Sequence, residues 1–391
     1  DHEMGIRLAN LSHNMLELFP GSRPRAGWVY LITNLYVDAW YKTPIDVIAS
    51  YQQGYMAAMG AGDFENGFLN WQLGVMHAYT GCCNLDEILL NGDLLMNQAT
   101  VYGIESVMGM GSEILRLIQF LTGSYDIDWN EFEKEDDEDI DGQHLFGSVD
   151  DGDQSLVSGK TGTTSAAAAA AKHSESNAKT RRTFRYWAKT QMALFFFKYD
   201  MAAKFVREYT KASSHDSSYE NVVWRSFLSG LIAAGLYRKT KNPQHRRNLR
   251  IMYKNLKKMT KLVDDSNVKD RCLLLKAEWV SLQGGKLPHK VLDAYNHAIQ
   301  TALLRGQIQT AALGCELAGE HFLRVKREQF VGDFFQRAFY FYKDWGCVAK
   351  ADHLQDHRSS YIDPMSSRAL KSSAKNKRIP SQIQLGPATY N

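Results

Sequence analysis

Gly159-Lys160-Thr161, inside the run SLVSGKTGTTS at 155–165, spells the tail of a phosphate-binding loop. A complete loop needs Gly-x-x-x-x-Gly-Lys-Ser/Thr between a strand and a helix, because the turn's backbone N–H groups cradle the phosphates. The first glycine would stand at position 154, where the chain has Gln154, and the residues upstream are acidic and repel phosphate. The motif reads as a coincidence of a Gly/Ser/Thr-rich loop, and no cofactor is expected.

Other residue types could do chemistry. His353 and His357, with Asp352 and Asp356 beside them, share one helix face, but no His-Glu-x-x-His motif and no third ligand accompany them. Glu316, Glu320 and His321 offer carboxylates and an imidazole, yet a di-iron bundle repeats Glu-x-x-His and this chain does not. Counted from Asp137, residues Asp139, Asp141 and Gly142 fall on calcium-loop positions, but Ser148 stands where the closing glutamate belongs. Cys82 and Cys83 follow Gly81, with His77 about a turn earlier; structural thiols are the expectation, since a nucleophile needs a base placed in space. The basic runs KTRRTFRYWAK (179–189) and KTKNPQHRRNLRIMYKNLKKMTK (239–261) could meet phosphates nonspecifically. They read better as solvated helix faces that balance an acidic segment than as a nucleic-acid site. The expectation is therefore no catalytic, cofactor-binding or metal-binding residue.

The elements behind these residues are helical. Eight prolines in 391 residues, with abundant Ala, Leu, Lys and Gln, favour helix, and no useful stretch alternates as strands do. Residues 1–125 read as N-terminal helical hairpins. Thr43-Pro44 is a helix start, Gly60-Ala-Gly-Asp63 a tight break, and Asn84 caps the helix after Gly81. Residues 126–154 carry thirteen acids and one lysine, a net charge of −12 that leaves +15 on the rest. With the Gly/Ser-rich and alanine stretches that follow, 126–180 reads as a disordered insertion, its alanines a marginal helix at most. Residues 181–357 return to helical patterning, with segments near 184–213, 219–239, 244–263, 267–283, 288–304, 307–325, 327–343 and 346–357. Residues 358–391 read as a flexible tail or linker. Five cysteines without a C-x-x-C pair suit a reducing compartment, hence the cytoplasm, and no run is long enough to span a membrane. The chain starts at Asp1, which suggests processing or a piece of a longer polypeptide.

Paired helices of similar length prompt a search for repeats. A hairpin of the tetratricopeptide kind needs small residues where its helices touch and a large side chain facing the next hairpin. Tyr55, Ala58, Gly62, Gly67, Trp71 and Gly74 follow that spacing. Ala277, Gly284, Tyr295 and Ala298 follow it with a longer turn, and Gly319, Phe322, Phe335 and Ala338 follow it again, closed by Trp345-Gly346. The fold class expected is all-α: a degenerate, TPR-like array of helical hairpins, an α-solenoid, with a long insertion. Core packing is the expected role of these aromatics, with a peptide-binding concave face as the sharper alternative.

The stretch Leu273-Leu-Leu-Lys-Ala-Glu-Trp279, then VLDAYNHAIQTALLRG, ELAGEHFL and RAFYFYKDWGCVAKADHL, resembles the end of a helical region in very large microbial multidomain signalling proteins. WYKTPIDV and AAMGAGDFENG in the first half are similar too, and only the acidic insertion and the tail depart from the pattern. In that family a protein-kinase-like domain and an AAA/STAND ATPase precede the helical region, and GAF and histidine-kinase or cyclase modules follow it. The resemblance implies a noncatalytic scaffold whose partners are proteins or neighbouring domains of the same polypeptide. Two alternatives stand beside it: a fragment whose ATP-dependent serine/threonine or histidine kinase activity belongs to its parent, and a free-standing TPR-like adaptor.

Overall fold

Helix ends follow the capping residues of the sequence. The Thr43 hydroxyl accepts from Asp46 N–H ahead of Pro44, and the Asn84 side chain accepts from Asp86 N–H, each satisfying an orphan donor of the first turn. The computed structural model describes residues 2–81, 83–134, 164–262, 267–283 and 288–363, and among these no strand occurs. The helices are α1 (His2–Leu18), α2 (Ala26–Tyr36), α3 (Pro44–Gly60), α4 (Phe64–Thr80), α5 (Leu85–Tyr102), α6 (Glu105–Thr122), α7 (Trp129–Lys134) and α8 (Thr164–Phe195). They continue as α9 (Tyr199–Ala212), α10 (Tyr219–Thr240), α11 (Pro243–Met259), α12 (Lys269–Ser281), α13 (Pro288–Leu304), α14 (Ile308–Arg324), α15 (Glu328–Trp345) and α16 (Val348–His357).

Successive helices pack as pairs: α3 on α4, α5 on α6, α8 on α9, α10 on α11, α12 on α13, α14 on α15. Every second helix also touches: α2, α4 and α6 form one row, and α8, α10, α12 and α14 another, with α6 against α8 joining them. Helix α16 comes to lie against α6, so the array curls on itself. The row explains the burial pattern. From Asn70 to Thr80 every residue of α4 is buried, whereas α11 buries only Leu249 and Leu256 and turns its many cations outward. One apolar core runs through the helices on both sides of the acidic segment. Tyr79 of α4 meets Trp187 of α8 edge-on at 5.6 Å and Trp345 of α15 at 5.7 Å.

Two expectations change. The segment 126–180 is not disordered at its edges. Helix α7 forms inside the acidic run because Phe132 is buried edge-on against Phe205 at 5.6 Å and Trp129 packs on Phe120 at 5.7 Å. Lys204 pairs with Glu133, and the Lys189 ammonium sits 4.8 Å from the Phe132 ring centroid. The alanines belong to α8, a helix of 32 residues whose second half is anchored by buried Tyr186, Trp187 and Met192, so it does not rely on propensity alone. The rest of the expected insertion, 135–163 with the Gly159-Lys160-Thr161 motif, lies outside the described residues, as does the expected tail beyond 363. The second change is at 184–213, which is not one helix: the chain turns at Phe197, whose φ of 56° ends α8 before α9 begins. No helix of the described residues is long and apolar enough to cross a membrane.

Candidate functional site

Four glutamates on the buried row tie its helices together. Glu113 of α6 accepts from Arg185 Nε of α8 at 2.8 Å. Glu278 of α12 accepts from Arg238 of α10 and Tyr295 of α13, both at 2.5 Å. Glu316 of α14 pairs with Lys350 of α16 at 2.7 Å and accepts from the Tyr342 hydroxyl of α15 at 2.8 Å. Glu220 of α10 accepts from Trp224 Nε1 at 2.8 Å and from the Thr80 hydroxyl of α4 at 3.2 Å, with His77 Nδ1 also 3.2 Å away. The Thr80 carbonyl in turn accepts from Arg271 of α12 at 3.2 Å and Gln309 of α14 at 3.1 Å. The C-terminus of α4 is thus the point on which four helices converge.

The electrostatics of this junction are set first by burial. Burial pushes the Glu220 carboxyl up to about 7, against the opposing pull of Arg271, and burial lowers His77 to about 3. Both residues are less than a tenth exposed. Cys83 is pushed up to about 12 by burial, which keeps it a thiol; Cys82 lies outside the described residues. His353 stacks on His357 at 4.1 Å and meets Phe196 edge-on at 4.9 Å, and its pKa falls to about 3, first through burial and then through Lys350. Glu316 and Glu320, read as possible co-ligands, have separate cationic partners, Lys350 and Arg358. Among the described residues no three potential ligands gather.

The hairpin positions read from the sequence fall on helix contacts. Gly67 faces the Met59 thioether and Ala58, and Gly74 faces Tyr51. Tyr55 is edge-on to Trp71 at 5.3 Å, and Gly62, at φ 76°, makes the turn between α3 and α4. Ala277, Tyr295 and Ala298 are buried between α12 and α13. A Cβ on Gly319 would stand 2.7 Å from the Phe335 ring, so α14 and α15 approach closely there. Phe322 stacks on Phe334 at 5.7 Å, Ala338 is fully buried, Trp345 lies on Phe195 at 5.8 Å, and Gly346 ends α15 in the left-handed conformation. Gly284 lies outside the described residues.

On the surface two faces stand out. The cations of α11 lie over aromatic carbon: Arg246 and Arg250 sit 5.3 and 5.9 Å from the Trp279 ring centroid. On α1, Met4, Leu8, Leu11, Met15 and Leu18 form a line at alternating four- and three-residue spacing, each 48–72% exposed. The opposite face of α1 buries Ala9 and, through His13, hydrogen-bonds Thr33 at 3.0 Å. A helix apolar on both faces is ordinarily covered on both.

Sequence reasoning did not single out Glu113, Glu220, Glu278, Arg271 or the α1 stripe. The stripe carried a signal, its 3.5-residue period; the glutamates carried none, since a lone glutamate on a helix reads as solvated. Comparison with protein families, curated proteins and solved structures finds no match to this chain.

Proposed function

We propose that this chain is a noncatalytic, TPR-like helical scaffold that holds protein segments together, in the cytoplasm, within a multidomain signalling polypeptide of the ATPase and kinase-associated kind it resembles. The observation that carries the reading is the exposed line of five large apolar side chains on α1. Soluble surfaces scatter such residues singly, and a contiguous line at coiled-coil spacing marks a place where another helix packs. The expected occupant is a helical hairpin of the neighbouring part of the same polypeptide. The alternating contacts of the helix row support a stacked-hairpin scaffold, in which each unit rests on its neighbours and leaves an end face apolar until capped. Two of the stretches on which the resemblance rests also meet, Glu316 of ELAGEHFL with Lys350 of KDWGCVAKADHL.

The reading is tested by the reading frame and by association. An ATPase encoded ahead of Asp1 and a sensor module after Asn391, in one frame, is the expected finding; an isolated short frame would sink the interdomain reading. The adjoining upstream segment, added in trans, should bind the chain, and Leu8→Gln with Leu11→Gln should abolish that binding while leaving the helical content intact.

A further inference from the structure

A cleft of about 290 Å³ opens where the α8–α9 turn meets the last turns of α10 and α14. Its apolar lining is Phe197, Tyr199 and Leu317. Phe197 holds a left-handed backbone, φ 56°, which is uncommon for a bulky side chain. That turn sets its ring parallel to Tyr199, centroids 5.6 Å apart and planes within 13°, with the Lys350 ammonium 4.4 Å from the Phe197 centroid. Tyr199 lies directly on α10, where a Cβ on Gly235 would stand 2.3 Å from its ring.

The polar lining is Arg238, Lys239, Arg324 and Glu320. Most of this charge is already matched. Arg238 gives one terminal nitrogen to Glu278 and the other to Ser281 at 2.9 Å, Lys239 pairs with Asp200, and Glu320 pairs with Arg358 at 2.6 Å. Two donors remain. Arg238 Nε is buried without a hydrogen-bond partner, and Arg324 makes no hydrogen bond or ion pair among the described residues. Arg324 also feels the like charge of Arg238, offset in part by Glu278 and Glu320. Cations at helix C-termini complement the helix dipole, which accounts for their presence here. It does not account for an aromatic-walled cavity with the Arg324 guanidinium unpaired at its rim.

We propose that this cleft binds a small organic anion, a carboxylate or phosphate group borne on a planar apolar body. The anionic group sits on the accessible Arg324 guanidinium, and the body lies on the Phe197–Tyr199 wall. The site is independent of the α1 face, so it stands or falls apart from the scaffold reading.

Calorimetry and ligand-observed NMR on the intact chain test it, with phenyl phosphate and benzoate as probes and inorganic phosphate and benzyl alcohol as controls. Saturable binding of an aromatic anion, tighter than that of either control, is expected. Arg324→Gln should weaken it about tenfold or more, the loss of one charge-assisted contact. Arg324→Lys should retain part of the affinity, and Lys254→Gln on α11 should change nothing. Arg324 has no partner to lose, so its variants should melt with the wild type, and circular dichroism verifies this. Failure of both aromatic anions to bind, binding unchanged in Arg324→Gln, or inorganic phosphate binding as tightly as phenyl phosphate would overturn the proposal.

Discussion

Glu220→Gln separates burial from ion pairing at the junction of α4, α10, α12 and α14. The side chain is buried, and its carboxyl is raised from 4.5 to about 7 by that burial. The folded protein therefore keeps this proton over a range where the unfolded chain has released it. Stability is full below pH 4.5 and falls as pH rises to about 7. A shift of that size corresponds to about 3 kcal/mol. Glutamine keeps the shape and one of the two acceptor oxygens that Trp224 and Thr80 use, puts an NH2 in place of the other at a cost that does not vary with pH, and cannot ionise. Urea unfolding followed by tryptophan fluorescence, from pH 4 to 8, gives the stability of each protein. The variant-minus-wild-type difference should be constant below pH 4.5, rise by about 3 kcal/mol through pH 7, and then level. His77, 3.2 Å from Glu220, has its folded-state pKa near 3, below the range scanned, and its unfolded-state titration is common to both proteins. A difference independent of pH would refute the reasoning, and one that falls with pH would mean that the Arg271 charge outweighs burial.

Further expectations concern packing and charge. Gly319→Ala drives a Cβ to 2.7 Å from Phe335 and should cost about 1–3 kcal/mol, whereas Gly74→Ala, with Tyr51 Cβ at 3.4 Å, should be neutral or slightly stabilising; thermal melts compare them. Lys350→Met leaves Glu316 buried without its cation and should cost about 3–5 kcal/mol in urea unfolding, while adding Glu316→Gln should restore much of it. The His353 imidazole should show no protonation shift by NMR above about pH 4, since burial and Lys350 hold it near 3.

What the sequence discloses depends on the distance over which each feature is decided. Helix ends at Thr43, Asn84 and Gly346 are decided within four residues by caps and a left-handed glycine, and these are legible. Close pairing at Gly319 and Phe335 is legible too, because small and large residues recur at hairpin spacing. Helix α7 is not: its acids announce solvation, while the rings that bury Phe132 and Trp129 arrive from α6, α8 and α9. The glutamate row fails for the same reason, each carboxylate meeting a cation from a helix remote in sequence. The cleft combines a turn, the end of α10 and the end of α14, and no local pattern joins them. The α1 stripe is plain at positions 4, 8, 11, 15 and 18, yet its exposure is not, because such a stripe ordinarily faces a core.

Hydrogen exchange of the α1 amides, in this chain alone and in the polypeptide encoded by its whole reading frame, measures whether that face is an interface. Strong added protection of His2–Leu18 in the longer polypeptide, lost with Leu8→Gln and Leu11→Gln, is the predicted result. Equal exchange in both, with the variant indistinguishable, would contradict the scaffold reading.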